Sequence, residues 1–261
     1  MNNHKGPSSG TSIQSVDRAL LILDLLQNNP EGLGVTELAN RLDVAKSTVH
    51  RLLMSLQKKK YVVKTGDKYL LGLKCLEIGE AMSSRLDVRA TASPILEALS
   101  KKTKETVHLV TMDEGEVVYI DKKESEAVIR MFSQIGKRAP VHCTGVGKAM
   151  LAFYPEKQIE GILDKHPMEK FTANTITTKE EMILHLAEIR KKGWALDDEE
   201  HEEGIKCAAA PIFNRMGEVE AAISIAVPMM RVKNKEFEMY ISEIKTASQE
   251  ISKAMGSQLT S

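Results

Sequence analysis

"ELANRLDVAKSTVHRLL", Glu37–Leu53, decides how the first part of this chain folds. Val35, Leu38, Ala39 and Leu42 recur at helical spacing, and so do Val49, Leu52, Leu53 and Leu56. Between the helix that ends at Leu42 and the one that starts at Lys46 stand only Asp43, Val44 and Ala45, room for a tight turn and nothing more. Upstream, Ile13, Val16, Leu20, Leu23 and Leu26 form another stripe, widened by Ile22 and Leu25, so a helix is expected over 12–27. "NNPEG" then breaks the chain. Downstream, "YVVKTGDKYLLG" alternates apolar residues about Thr65-Gly66-Asp67, the pattern of a small hairpin. Helix, short helix, tight turn, helix and hairpin make a winged helix-turn-helix over 12–72.

Charge assigns this unit a partner. Between Arg41 and Lys64 stand Arg41, Lys46, Arg51, Lys58, Lys59, Lys60 and Lys64 against the single acid Asp43. The whole chain carries a formal net charge of +0, so bulk electrostatics draw no nucleic acid, and a local positive patch has to. Lys46, Ser47, Thr48, His50 and Arg51 open the third helix, where polar side chains reach base edges in a major groove. Double-stranded DNA is the expected partner. Taken alone, "KSTVHR" is also an ordinary helix start and "KKK" a solvated helix end; the turn spacing and the hairpin favour DNA.

The remaining composition sets bounds. A chain of 261 residues has room for two domains, and 42% hydrophobic residues suffice for real cores. Aromatics are 4%, so those cores are built from aliphatic side chains. Cys75, Cys143 and Cys207 are odd in number and far apart, the usage of a reducing compartment. The chain has no apolar run of transmembrane length, and "MNNHKGPSSGTS" lacks the apolar core of a secretory signal. Residues 1–11 are expected to be a disordered lead and the protein to be cytoplasmic.

After Gly72 the chain is helix-prone. Leu73, Leu76, Ile78 and Met82 suggest a linker helix over 73–87, with Cys75 in the core and a further helix from Pro94 to Lys102. From Thr106 the pattern turns to strands: "TVHLVTM", "EVVYIDKK" and "AVIRM". Helix-prone sequence runs to Lys192, a buried strand "VEAAISIAVP" follows, and a helix from Asn234 to Met255 closes the chain. Residues 88–261 are thus a mixed α/β domain with helices on an antiparallel sheet.

Four stretches, "SVDRALLILDLL", "ELANRLDVAKSTVHRLL", "HCTGVGKAMLA" and "LDDEEHEEGIKCAAAPIF", together resemble the IclR family of bacterial transcription regulators. The resemblance runs from Ser12 to the last helix. It implies a winged helix-turn-helix, a linker helix and a GAF-like α/β domain that binds an effector and oligomerises. It also implies a homodimer or homotetramer on a palindromic operator, a small organic acid as effector, no cofactor and no catalysis.

Site residues follow from the same resemblance. Thr144-Gly145-Val146-Gly147-Lys148-Ala149 matches the turn beneath the effector carboxylate, where glycines and free amides suit an anion. Gly145 and Val146, Asp197, Cys207 and Ser224 are implied to line the pocket, with Val128 and Met131 as apolar walls. Ala226 stands where many members carry a second serine, which removes one donor. "IRMFSQIGKRAPVHCTGVGKA" and "DDEEHEEGIKCAAAPIF" look most like the regulators that answer 2-keto-3-deoxygluconate, which implies a repressor of carbon catabolism. Activators that answer aromatic or other short acids look alike at this level.

The acidic run Asp197–Glu203 is read accordingly: Asp197 into the pocket, the others mostly a solvated rim. A cysteine enzyme would need a base beside Cys207, from His108, His142 or His201. A zinc site would need His142, Cys143 and Cys207 to converge, and the metal-ligand spacings that would announce one do not occur.

Overall fold

The computed structural model describes residues 13–83, 87–124, 133–231 and 237–258. The expected lead and the strand "AVIRM", with Val128 and Met131, lie outside the described residues. The chain divides into two compact units, one through residue 85 and one from residue 86.

The first unit is helical with a small sheet. α1 (Gln14–Gln27), α2 (Val35–Leu42) and α3 (Lys46–Lys58) enclose a core of Ile22, Leu26, Leu38, Val49, Leu53 and their neighbours. The turn before α3 rests on Asp43, the left-handed residue that ends α2 with φ 50°; a short polar side chain tolerates that conformation better than most. Val62–Thr65 (β2) and Lys68–Leu71 (β3) form the expected hairpin, and Leu33–Gly34 (β1) adds a third strand that the sequence reading lacked. Tyr69 of β3 is buried against the helices, and Lys64 Nζ lies 5.9 Å from its ring centre.

Two helices differ from expectation. The α1 stripe does not face inward throughout: Ile13, Val16 and Leu20 are exposed, and Ile22 and Leu26 are the buried anchors. α4 (Leu73–Ser83) leaves Leu73, Leu76 and Ile78 exposed as well. Cys75 is half-buried rather than core, its thiol donating to the Tyr61 carbonyl at 3.4 Å.

In the second unit, α5 runs from Asp87 to Thr103 and passes through Pro94 instead of starting there. Val88, Ala92, Leu96 and Leu99 bury one face of it on both sides of the proline. Pro94 and Ala90 are exposed, so the carbonyl that loses its partner four residues earlier stands on the solvent side.

Among the described residues, six antiparallel strands form the sheet: Thr106–Asp113 (β4), Glu116–Lys123 (β5), Arg138–Ala139 (β6), Ala195–Asp198 (β7), Ile205–Phe213 (β8) and Val219–Pro228 (β9). Their order is β6-β5-β4-β9-β8-β7. Side chains alternate across it. Val107, Leu109, Ile223, Ile225 and Val227 pack with α5 and with α9 (Phe237–Ala254). Val110, Ala209 and Ala222 take the other face, under α6 (Gly145–Leu151), α7 (Glu156–Lys165) and α8 (Lys179–Lys192).

Leu53 is fully buried at the centre of the first core. Leu53→Ala should cost about 2–5 kcal/mol, a large share of what a unit this small can hold. Urea unfolding of the full chain checks it: an early transition should split away from that of the second unit.

Candidate functional site

A cavity of about 220 Å³ opens on the α6 face of the sheet. Its construction starts with small residues. Ala209 of β8 and Ala222 of β9 are fully buried on this face and let α6 lie close. A methyl group on Gly145 would stand 3.3 Å from the Ala209 Cβ. One on Gly147 would stand 2.5 Å from the Val141 carbonyl oxygen, inside contact distance, so that position admits only glycine. Thr144 caps α6: its hydroxyl oxygen accepts the Gly147 N–H at 3.2 Å while its O–H donates to the Pro140 carbonyl at 2.8 Å.

Gly145, Val146, Asp197, Cys207 and Ser224 all line this cavity, and Ala226 with them. The strand register explains why. Asp197 pairs with Cys207, Cys207 with Ala226, and Ala209 with Ser224, so the three strands present one continuous wall.

Several lining residues were not read from the sequence as parts of a binding site. His108 of β4 pairs with Ser224 across the strands. Its Nδ1 lies 3.3 Å from the Ser224 hydroxyl and its Nε2 lies 2.7 Å from the Ser133 hydroxyl. Burial, with the Lys122 ammonium nearby, pushes the His108 pKa down to about 3, so the ring is neutral and offers one donor and one acceptor. Tyr119 stacks edge-on against it at 5.2 Å. Lys137 and Arg138 are exposed lining residues, and His201 and Glu202 line the acidic side. Periodicity marks His108 as a strand residue; only the register brings it beside Ser224.

The acidic run departs from a plain rim. Asp198, Glu202 and Glu203 are exposed, but Glu200 is buried and forms an ion pair with Lys148 of α6, itself fully buried. The reason is geometric. Glu199 adopts a left-handed φ of 59°, which turns the next residue inward. Thr172 Oγ1 donates to the Glu199 carbonyl and Thr175 Oγ1 to the Glu200 carbonyl, both at 2.6 Å, which holds the turn down. Glu200 also donates its N–H to Asp197 Oδ1 at 2.8 Å, fixing that side chain. Burial dominates Asp197 and pushes its pKa up to about 7.

Cys207 is not an activated thiol. Burial and the neighbouring carboxylates of Asp197 and Glu202 hold its pKa well above the usual value, the reverse of what a nucleophile needs. His108 spends both ring nitrogens on serines, and His142 Nε2 lies 2.9 Å from the Glu169 carbonyl oxygen. Among the described residues, no three His, Cys, Asp or Glu side chains group to hold a metal ion, and no helix is long and apolar enough to cross a membrane.

A winged helix-turn-helix with a cationic recognition helix, joined to an α/β unit that encloses a small polar cavity, defines a DNA-binding transcriptional regulator with a ligand-binding domain. Comparison with known proteins gives the family. Residues 15–66 match the IclR helix-turn-helix domain, and residues 80–253 match the bacterial transcriptional regulator IclR C-terminal domain. The chain belongs to the IclR family. It is 37% identical over 247 residues to the transcriptional regulator KdgR of Escherichia coli (strain K12), covering 94% of each chain. It is 36% identical to XynR of the same organism, covering 94% of this chain and 98% of XynR. The crystal structure of the Thermotoga maritima IclR superimposes with a TM-score of 0.80 at 35% identity, covering 93% of this chain and 99% of that one.

The raised pKa of Asp197 has a sign. Between about pH 4 and pH 7 the folded chain keeps a proton that the unfolded chain has lost. Stability from this group is therefore full below about pH 4 and lost as pH rises to about 7. His108 and His185, both pushed down by burial, act in the opposite sense. The difference between wild type and Asp197→Asn isolates the carboxyl: in paired thermal melts wild type should lose ground to the variant from pH 5 to pH 7 and then level off.

Proposed function

We propose that this regulator is a repressor of carbon catabolism genes whose hold on its operator is released by a small organic acid bound in the Gly145–Asp197–Ser224 cavity. The observation that carries the reading is the convergence of Gly145, Val146, Asp197, Cys207 and Ser224 on one enclosed space. The polar groups there divide into two sets. Gly145, Val146 and the exposed Lys137 suit a carboxylate. Ser224 and Ser133, both held by the neutral His108, suit hydroxyl and carbonyl groups. Asp197 stands beside Gly145, its Cβ 3.5 Å from where a methyl on Gly145 would be, so an acid is best received there while Asp197 keeps its proton. A hydroxylated acid such as 2-keto-3-deoxygluconate satisfies both sets. Ser133 supplies a hydroxyl to the same cavity, in which Ala226 offers none. Binding should weaken from pH 6 to pH 8 as Asp197 ionises.

On DNA, Lys46, Ser47, His50 and Arg51 are exposed at the start of α3 and Thr48 is half-exposed, while Val49 and Leu53 anchor the helix from below. Exposed polar residues over buried anchors are what a helix entering a major groove requires. Two such units are needed for two half-sites. The exposed apolar residues Ile13, just before α1, Val16, Leu20 and Leu21 of α1, and Leu73, Leu76 and Ile78 of α4 support a homo-oligomer that buries them. With its three cysteines unpaired, the protein works in the cytoplasm, where its operator is. Differential affinity of the acid for the bound and released states of about 1–3 kcal/mol would change operator affinity roughly 5–150-fold. A protein that leaves DNA on binding its ligand represses wherever its operator overlaps a promoter.

The test is thermal unfolding followed by Trp194, the only tryptophan, against 2-keto-3-deoxygluconate, pyruvate, glyoxylate and aromatic acids. The sugar acid should raise the melting point, and a shift with an aromatic acid alone would move the effector class. Ser224→Ala should weaken effector binding about tenfold with operator affinity kept; unchanged effector affinity would remove Ser224 from the site. Arg51→Ala should lose operator binding by roughly 1–3 kcal/mol and leave the effector melt untouched. A mobility-shift titration reads the difference.

A further inference from the structure

The end of β8 away from the cavity carries a second concave site, of about 490 Å³. Cys207 belongs to the first site and Phe213 to the second, six residues apart along the strand, or roughly 20 Å. The second site is lined by Arg190, Lys191 and Lys192 from the end of α8, by Lys245 from α9, and by Phe153 and Phe213, whose rings meet edge to face at 5.1 Å. Among the described residues no carboxylate lines it.

Cations in the last turn of a helix are common, because they complement the helix dipole. That accounts for the three residues of α8 and leaves Lys245 unexplained, since it reaches the same groove from another helix. The charges are also poorly compensated. Lys191 pairs with Glu188 at 2.7 Å. Arg190 is held rigid by neutral carbonyls instead, donating from Nε to Ala152 at 2.5 Å and from Nη2 to Tyr154 at 2.9 Å. Lys192 lies 6.0 Å from the Trp194 ring centre. Among the described residues neither Lys192 nor Lys245 has a carboxylate partner. Like charges gathered in a concavity repel one another, and a polyvalent anion removes that cost. The hydroxyls in the lining do not compete for it: Ser248 donates to the Pro211 carbonyl and Ser252 to the Ser248 carbonyl.

We propose that this groove is a second ligand site, separate from the acid cavity, and that it takes the phosphate monoester of a small metabolite. The phosphate dianion matches the converging ammonium and guanidinium groups. Phe153 and Phe213 give the organic part an apolar wall. The inference does not rest on which effector fills the first cavity.

Isothermal titration calorimetry of the full-length protein with glucose 6-phosphate tests it, with inorganic phosphate, sulfate and glucose at matched ionic strength. Expected are one saturable site per chain for the sugar phosphate, weaker binding of inorganic phosphate and none of glucose. Lys192→Gln combined with Lys245→Gln should weaken the sugar phosphate about tenfold or more, with melting point and operator binding unchanged; the paired Lys→Arg variant should restore it. Absence of saturable binding by either phosphate overturns the proposal. So does sulfate binding as tightly as the sugar phosphate, which is an adventitious ion only, or an unchanged isotherm in the double Gln variant. Loss of the isotherm in Ser224→Ala would put the phosphate in the acid cavity and also overturns it.

Discussion

Gly145 lies against the sheet with no side chain between, and the acid cavity is arranged around that contact. A methyl group there would stand 3.3 Å from the Ala209 Cβ and 3.5 Å from the Asp197 Cβ, so α6 settles onto β7 and β8 with only hydrogen at this position. Gly147 serves the turn instead, since a Cβ there would run into Val141 and Thr144 of the same loop. Gly145 and Val146 thereby become cavity wall. Ala209 and Ala222 are the complementary half of the contact: larger side chains there would push α6 off the sheet. One close approach thus sets the position of α6 and, with it, the burial of the charges beside the site.

Those charges are the expensive part of the design. Burying Lys148 and Glu200 costs several kcal/mol per ion before their attraction is counted, and the second oxygen of Glu200 finds no hydrogen-bond partner among the described residues. The pair is better understood as a positioning device than as a source of stability. It ties α6, through Lys148, to the acidic turn, and the turn fixes Asp197 through the Glu200 amide. Thr172 and Thr175 hold the same turn from the far side. Movement of any one of these elements is felt at the Asp197 carboxyl.

Much of this was legible in the sequence. Apolar spacing matched α2 to the residue, since its stripe is strict and Asp43 ends it; it placed the start of α3 at Lys46 but carried the helix on to Tyr61, three residues past its end at Lys58. Strand patterning marked β4 and β5, and a near-continuous apolar run marked β9 as a buried strand. Legibility failed where tertiary contacts outweigh local pattern. Pro94 marks a helix start by propensity, yet four buried anchors carry α5 through it. The α1 stripe looked like a core face because spacing says which residues share a side and not what covers that side. Glu200 could not be separated from its acidic neighbours, because its burial depends on a left-handed residue before it and a lysine 52 residues away. His108 entered the site through strand register, a relation between segments more than a hundred residues apart.

The order of the sheet has a consequence for how the molecule is made. β4 is internal, yet one of its two neighbours is β9, the last of the described strands. The winged unit is complete in sequence before the first sheet strand leaves the ribosome. β4 must then wait for residues 222–226, a delay of roughly 6–24 s at ordinary synthesis rates. During that interval the nascent protein has a finished head and an open, apolar strand edge, a known invitation to mispairing. A chain cut short before residue 219 would keep that edge for good, and quality control would meet a sticky fragment still equipped to find DNA.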